Sequence, residues 1–160
     1  STLSSSSAAS DVYKRQGYQT DIATKSGTVV YGKYGVPARA TMSTTELNVD
    51  DFDAVVLPGG FEAPDRVRLL PEVLEFVRNM DKQKKLIAAI CHGPWVLISA
   101  GITKGRKMTG FWSIEADILN SGADYQHKTP LVIDDNLITS PHYNNNGEFM
   151  KAVVNYLNQK

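Results

Sequence analysis

Residues 86–101 read LIAAICHGPWVLISAG and hold the single cysteine of the 160-residue chain. Cys91 closes an apolar run and is followed at once by His92, Gly93 and Pro94. A strand that ends on a nucleophile and turns directly into a helix is the layout of a nucleophile elbow, which projects the reactive atom into a cleft. The partial positive charge and free amides at a helix start favour thiolate over thiol. Gly93 keeps the turn free of side-chain crowding, and Pro94 suits a first helical turn. Upstream, Pro58-Gly59-Gly60 ends a second apolar run. The backbone amides of Gly59, Gly60 and His92 are therefore candidates for an oxyanion hole. The alternative for a lone cysteine is an inert core thiol. The strand–CHGP–helix context and the upstream diglycine weigh against it.

The remaining polar candidates are more open. Side chains of adjacent residues often diverge, so His92 need not act on the sulfur beside it. It either lies over the cleft edge and meets an acid from elsewhere or is structural. Glu62, Asp65, Arg66 and Arg68 follow the diglycine in FEAPDRVR. They form a solvated charged loop, or one carboxylate orients an imidazole in the manner of a triad. His142, in SPHYNNNG, is a candidate for the border of the site, whereas His127 falls in a charged loop. Three scattered histidines and one cysteine show no zinc spacing, so neither a metal nor another cofactor is expected.

These groups need elements to position them. DAVVLPGG (53–60) reads as a strand buried on both faces, typical of a parallel sheet, and LIAAIC (86–91) reads as another. Between them, Leu70, Val73, Leu74 and Val77 repeat at helical spacing, with Pro71 near the first turn. A helix over 93–101 closes on Gly101. A strand at 18–24, two short strands within 28–41 and a helical turn at 43–47 precede this block. A strand at 107–111, a helix at 113–122, a strand at 123–126, a hairpin over 131–140 turning at Asp135-Asn136 and a helix at 147–160 follow it. Alternating strands and helices with buried strand cores predict an α/β three-layer sandwich with a mainly parallel sheet. Its site should lie at the carboxyl ends of the strands, where PGG and CHGP both fall.

Lysines and arginines number 17, as do the acidic residues. No overall field attracts nucleic acid or an anionic membrane. No apolar run approaches the roughly 20 residues that cross a bilayer. With a lone cysteine, the expectation is a soluble protein of a reducing, cytoplasmic compartment. Residues 1–16 (STLSSSSAASDVYKRQ) carry no period and few large apolar groups, and read as a disordered or non-native segment ahead of one domain at 17–160.

DAVVLPGGFEAPDRVR, LIAAICHGPWVLISAGITKGRKMT and IEADILNSGADY together resemble the PfpI-type intracellular protease/deglycase family. That family belongs to the Parkinson-disease-protein superfamily with a class I glutamine amidotransferase-like fold. The resemblance runs from about Gly17 to the C-terminus and implies a flavodoxin-like sandwich assembled as dimers or hexamers. It implies that Cys91 is the nucleophile and His92 its partner. It also places Asp65, 26 residues before the thiol, where members carry a Glu that reaches the histidine of a neighbouring subunit. The active site would then be shared within a homo-oligomer. Members open with an apolar strand, a turn whose Glu meets the cysteine sulfur, and a helix. By this resemblance residues 1–16 are expected to stand in place of that first strand and helix, and the strand would lie between those at 18–24 and 53–57. The implied activity is thiolate attack on small reactive carbonyls or their protein adducts, of deglycase or glyoxalase type. The alternatives are an intracellular cysteine peptidase and a non-catalytic oxidative-stress sensor or chaperone. A glutaminase is disfavoured because His142-Tyr143-Asn144 replaces the late His-x-Glu of that branch.

Overall fold

The computed structural model describes residues 17–32 and 35–159, so the segment 1–16 lies outside the described residues. In chain order, β1 (Ala23–Thr24), β2 (Val30–Tyr31), β3 (Pro37–Ala38) and β4 (Met42–Ser43) precede β5 (Ala54–Leu57). Helices α1 (Glu62–Val67) and α2 (Pro71–Lys82) lead to β6 (Leu86–Ile90), which runs into α3 (Pro94–Ala100). There follow β7 (Lys107–Met108), α4 (Glu115–Asn120), β8 (Asp124–Tyr125), the hairpin β9 (Val132–Asp134) and β10 (Leu137–Ser140), and α5 (Asn146–Leu157).

The layering follows from the two-residue period of the central strand. All five residues of β6 are buried. Ile87 and Ala89 face one core, with Val73, Val77 and Met80 of α2 and Val96 and Leu97 of α3. Leu86, Ala88 and Ile90 face the other, with Phe149, Met150 and Val153 of α5. Each large apolar side chain so buried contributes about 1.5–3 kcal/mol against conformational entropy. The sheet order is β5-β6-β10-β9, parallel except for the β9–β10 hairpin. The chain is therefore an α/β sandwich with a mostly parallel sheet, as the alternating pattern predicts.

Several elements differ from the sequence reading. The strand at 18–24 shrinks to β1, which pairs in parallel with β4 in a small sheet of its own. FEAPDRVR is not a loop but mostly the helix α1. Ala54, Val55 and Val56 are only half-buried, not enclosed on both faces, because β5 pairs only with β6 among the described residues. Beside that open edge lies a cleft of about 1060 Å³ between the β1–β4 pair and β5, lined by groups such as Ile22, Met42, Val56, Phe76 and Leu157.

Gly93 is where β6, α3 and β5 meet. A methyl group on it would sit 2.4 Å from the Leu57 carbonyl oxygen and 3.0 Å from that of Ile90. Both are backbone atoms that cannot swing aside. Gly93→Ala should therefore lower stability by roughly 1–3 kcal/mol, read as a lower urea midpoint. An unchanged midpoint would mean the turn is looser than this geometry.

Candidate active site

Cys91 sits in the left-handed region, φ 61°, which side-chain-bearing residues enter at a cost of about 1–3 kcal/mol. Three strands hold it there. Its N–H donates to the Ser140 carbonyl at the end of β10 (2.9 Å), and its own carbonyl accepts from Phe111 N–H beyond β7 (2.9 Å). Gly93 N–H donates to Ile90 O (2.9 Å) to close the turn. From β5, Gly59 lies so close that a Cβ on it would be 2.5 Å from Cys91 Cβ and 3.2 Å from Sγ. Only a glycine lets this loop rest on the thiol, and it brings the Gly60 amide, with that of His92, into hydrogen bonding with the sulfur.

The same turn unites the two neighbours that sequence left apart. His92 Nδ1 lies 3.2 Å from Cys91 Sγ, and His92 Nε2 lies 3.2 Å from Ser113 Oγ. Burial pushes the Cys91 thiol above its usual range, and the Gly60 and His92 amides oppose this without reversing it. Burial also pushes the His92 imidazole down. The resting pair at neutral pH is a thiol beside a neutral imidazole. This corrects the expectation of a thiolate favoured at rest: desolvation by the converging loops outweighs the amides at the helix start.

The carboxylates fall elsewhere. Glu62 pairs with Arg66 at 2.6 Å, both exposed on α1. Asp65 is exposed on α1, and its carboxylate has no hydrogen bond or ion pair among the described residues. Within this protomer neither carboxylate orients His92; Ser113 meets it. His127 is 3.4 Å from Glu115 at an exposed position. The His142 ring lies 6.0 Å from Phe111 and 5.6 Å from Trp112, and its Nδ1 accepts from Asn144 N–H. His92 itself stacks on Phe111 at 4.9 Å and meets the edge of Trp95 at 5.0 Å. Ser113, Phe111, Trp112 and Trp95 all escape the sequence reading. The signal available was position, since residues 109–113 follow a strand of a parallel sheet and so leave it at the site-bearing edge.

A mostly parallel α/β sandwich with a cysteine on a strained strand–helix turn, under a diglycine loop and beside an imidazole, defines a class of thiol-centred proteins. The sequence model of the DJ-1/PfpI family matches residues 5–156, and the chain belongs to that family. It is 40% identical over 144 residues to the deglycase PfpI of Pyrococcus furiosus, covering 90% of this chain and 86% of that protein. It is 37% identical over 129 residues to the putative cysteine protease YraA of Bacillus subtilis, covering 80% and 75%. The crystal structure of Drosophila melanogaster DJ-1beta superposes with a TM-score of 0.90 at 30% identity, over 98% of this chain and 84% of that one. No helix among the described residues is long and apolar enough to cross a membrane.

A thiol raised by burial should alkylate slowly at neutral pH. Iodoacetamide labelling of Cys91, followed by intact mass, should accelerate with pH to a midpoint above the usual cysteine value of about 8.5. A midpoint below neutrality would contradict the neutral pair. The sign for stability is the same: the contribution from the buried neutral thiol is present below the unfolded-state value and fades as pH rises through the folded one.

Proposed function

We propose that the protein is a cysteine-dependent hydrolase of the deglycase or glyoxalase type, acting on small reactive carbonyls and the adducts they form on proteins. The observation that carries this reading is the Cys91 sulfur on its left-handed turn, with two backbone amides on it and His92 Nδ1 at 3.2 Å. Support also comes from the Pyrococcus furiosus relative, which is named a deglycase.

A neutral thiol beside a neutral imidazole is matched to an electrophile that forces the proton to move. As Cys91 Sγ bonds to the aldehyde carbon of a 2-oxoaldehyde, the thiol proton passes to His92 Nδ1. The carbonyl π pair goes to oxygen, which faces the Gly60 and His92 amides and collects the proton, giving a hemithioacetal. Ser113 Oγ at Nε2 holds the ring in the orientation that leaves Nδ1 free to accept. His92 then moves the proton from the former aldehyde carbon to its neighbour through an enediol, leaving a thioester. Water cleaves the thioester, returning the thiol and a 2-hydroxy acid.

The reading includes a homo-oligomer in which Asp65 serves the site of a second copy. Its support is an exposed carboxylate without a partner among the described residues, between the exposed apolar residues Phe61 and Leu69.

Cys91→Ser should abolish conversion of methylglyoxal to lactate, and His92→Ala should lower kcat/KM by about 10²–10⁴. Unchanged turnover in the serine variant would end the covalent mechanism. Cleavage of fluorogenic peptides without carbonyl turnover would transfer the pair to the peptidase chemistry for which the Bacillus relative is named. Asp65→Ala should reduce activity at an unchanged urea midpoint. Full activity in a monomer verified by sedimentation would contradict the shared site.

A further inference from the structure

We propose that Tyr125 is a positioning residue for the reaction at Cys91. With Thr139 it fixes the segment 109–113, which carries both the amide that clamps the nucleophile and the hydroxyl that orients His92. The proposal rests on the hydrolase reading above and gives a role to residues that reading leaves without one.

The backbone ladder runs out at the end of β7. Lys107 and Met108 pair with Asp124 and Tyr125 of β8, and Gln126 N–H donates to the Met108 carbonyl at 2.8 Å. Thr109 and Gly110 lie beyond that pairing yet are buried, so their peptide groups need partners other than bulk water. Side chains from two strands supply them. Thr109 N–H donates to Thr139 Oγ1 of β10 at 2.9 Å, and both residues are fully enclosed. From β8, the Tyr125 hydroxyl donates to the Gly110 carbonyl at 3.1 Å and also meets the Thr109 side chain. Burial pushes the Tyr125 phenol above its usual range, so it stays a donor at neutral pH.

The next peptide group along the chain reaches the nucleophile. Phe111 N–H donates to the Cys91 carbonyl at 2.9 Å. Gly110 lets the segment lie this close, since a Cβ on it would be 2.8 Å from Ile118 Cδ1 and 3.3 Å from the Cys91 carbonyl oxygen. A short 3-10 turn over Trp112–Ile114 then delivers Ser113 Oγ to His92 Nε2 at 3.2 Å. Ser113 is exposed, and its hydroxyl has no other hydrogen bond among the described residues. Its place is therefore set by the segment that leads to it. Loss of the Tyr125 hydroxyl leaves the buried Gly110 carbonyl unpaired. The segment then shifts, and the His92 ring is free to take up its other tautomer. A displacement of about 1 Å at a reacting group is enough to slow a reaction severely.

The test uses the full chain with Tyr125→Phe, Thr139→Val, Thr139→Ser and Ser113→Ala, each alone, and with Tyr125→Phe and Ser113→Ala combined. Two readouts are taken: methylglyoxal turnover, and the nitrogen NMR spectrum of His92 at neutral pH, which reports the ring nitrogen that carries the proton. The parent should hold that proton on Nε2. Tyr125→Phe and Thr139→Val should each lower kcat about three- to tenfold with KM within about twofold, and should move part of the proton to Nδ1. Thr139→Ser, which keeps the acceptor, should retain most of both parent values. The combined variant should cost little more than the larger single loss, because both changes act through one contact; independent losses would multiply. Multiplying losses or an unmoved tautomer would make Tyr125 a structural residue and overturn the proposal, as would an equal loss in Thr139→Ser. If Tyr125→Phe fails to fold, Thr139→Val and its serine counterpart decide. Absence of turnover in the parent, with the tautomer still moved by Tyr125→Phe, would sink the hydrolase reading and not the positioning. Turnover in the parent with an unmoved tautomer would do the reverse.

Discussion

The structure depends on holding one side-chain-bearing residue in a backbone conformation it does not prefer. Cys91 occupies the left-handed region because β5, β6, β10 and the segment that follows β7 all converge on it. Ser140 O and Phe111 N–H fix its peptide groups, and Gly59 and Gly93 leave no room for any other path. The cost of the turn is a small part of what the two cores recover by burying β6 on both faces. In return, the sulfur and the imidazole of the next residue point to the same side. A regular strand would send them to opposite faces.

That placement explains the charge state. The convergence that sets the turn also strips water from the thiol and the imidazole, so both stay neutral at rest. Amides from Gly60 and His92 already face the sulfur and are ready for negative charge when it develops. Nucleophilicity is thus produced on demand by proton transfer over 3.2 Å. A reactive aldehyde suits such a pair because addition and proton transfer proceed together.

Much of this was legible before any coordinates. The buried run of β6, the helical spacing through Val73 and Val77, the Gly101 stop (φ 75°) and the turn at Asp135 all sit where their sequence patterns put them. These are local signals of periodicity and turn chemistry. Other features were not legible because they arise from distant parts of the chain meeting. Nothing in CHGP announces a positive φ at the cysteine, so the pairing of neighbours 91 and 92 rested on the family resemblance alone. Glu62 and Asp65 looked fit to orient an imidazole, but α1 exposes both, so neither orients His92 of its own protomer. Ser113 and the rings at 111–112 became part of the site only through the hydrogen bond from Phe111 to Cys91. The raised thiol pKa followed from burial, which no local motif encodes.

The most direct measurement of the central claim is covalent. The protein is mixed with methylglyoxal, quenched in acid within the first turnover, and its mass adduct is located by fragmentation. The account predicts a single adduct on Cys91 that disappears as hydroxy acid accumulates. An adduct confined to lysines and arginines, with Cys91 unmodified throughout turnover, would contradict it.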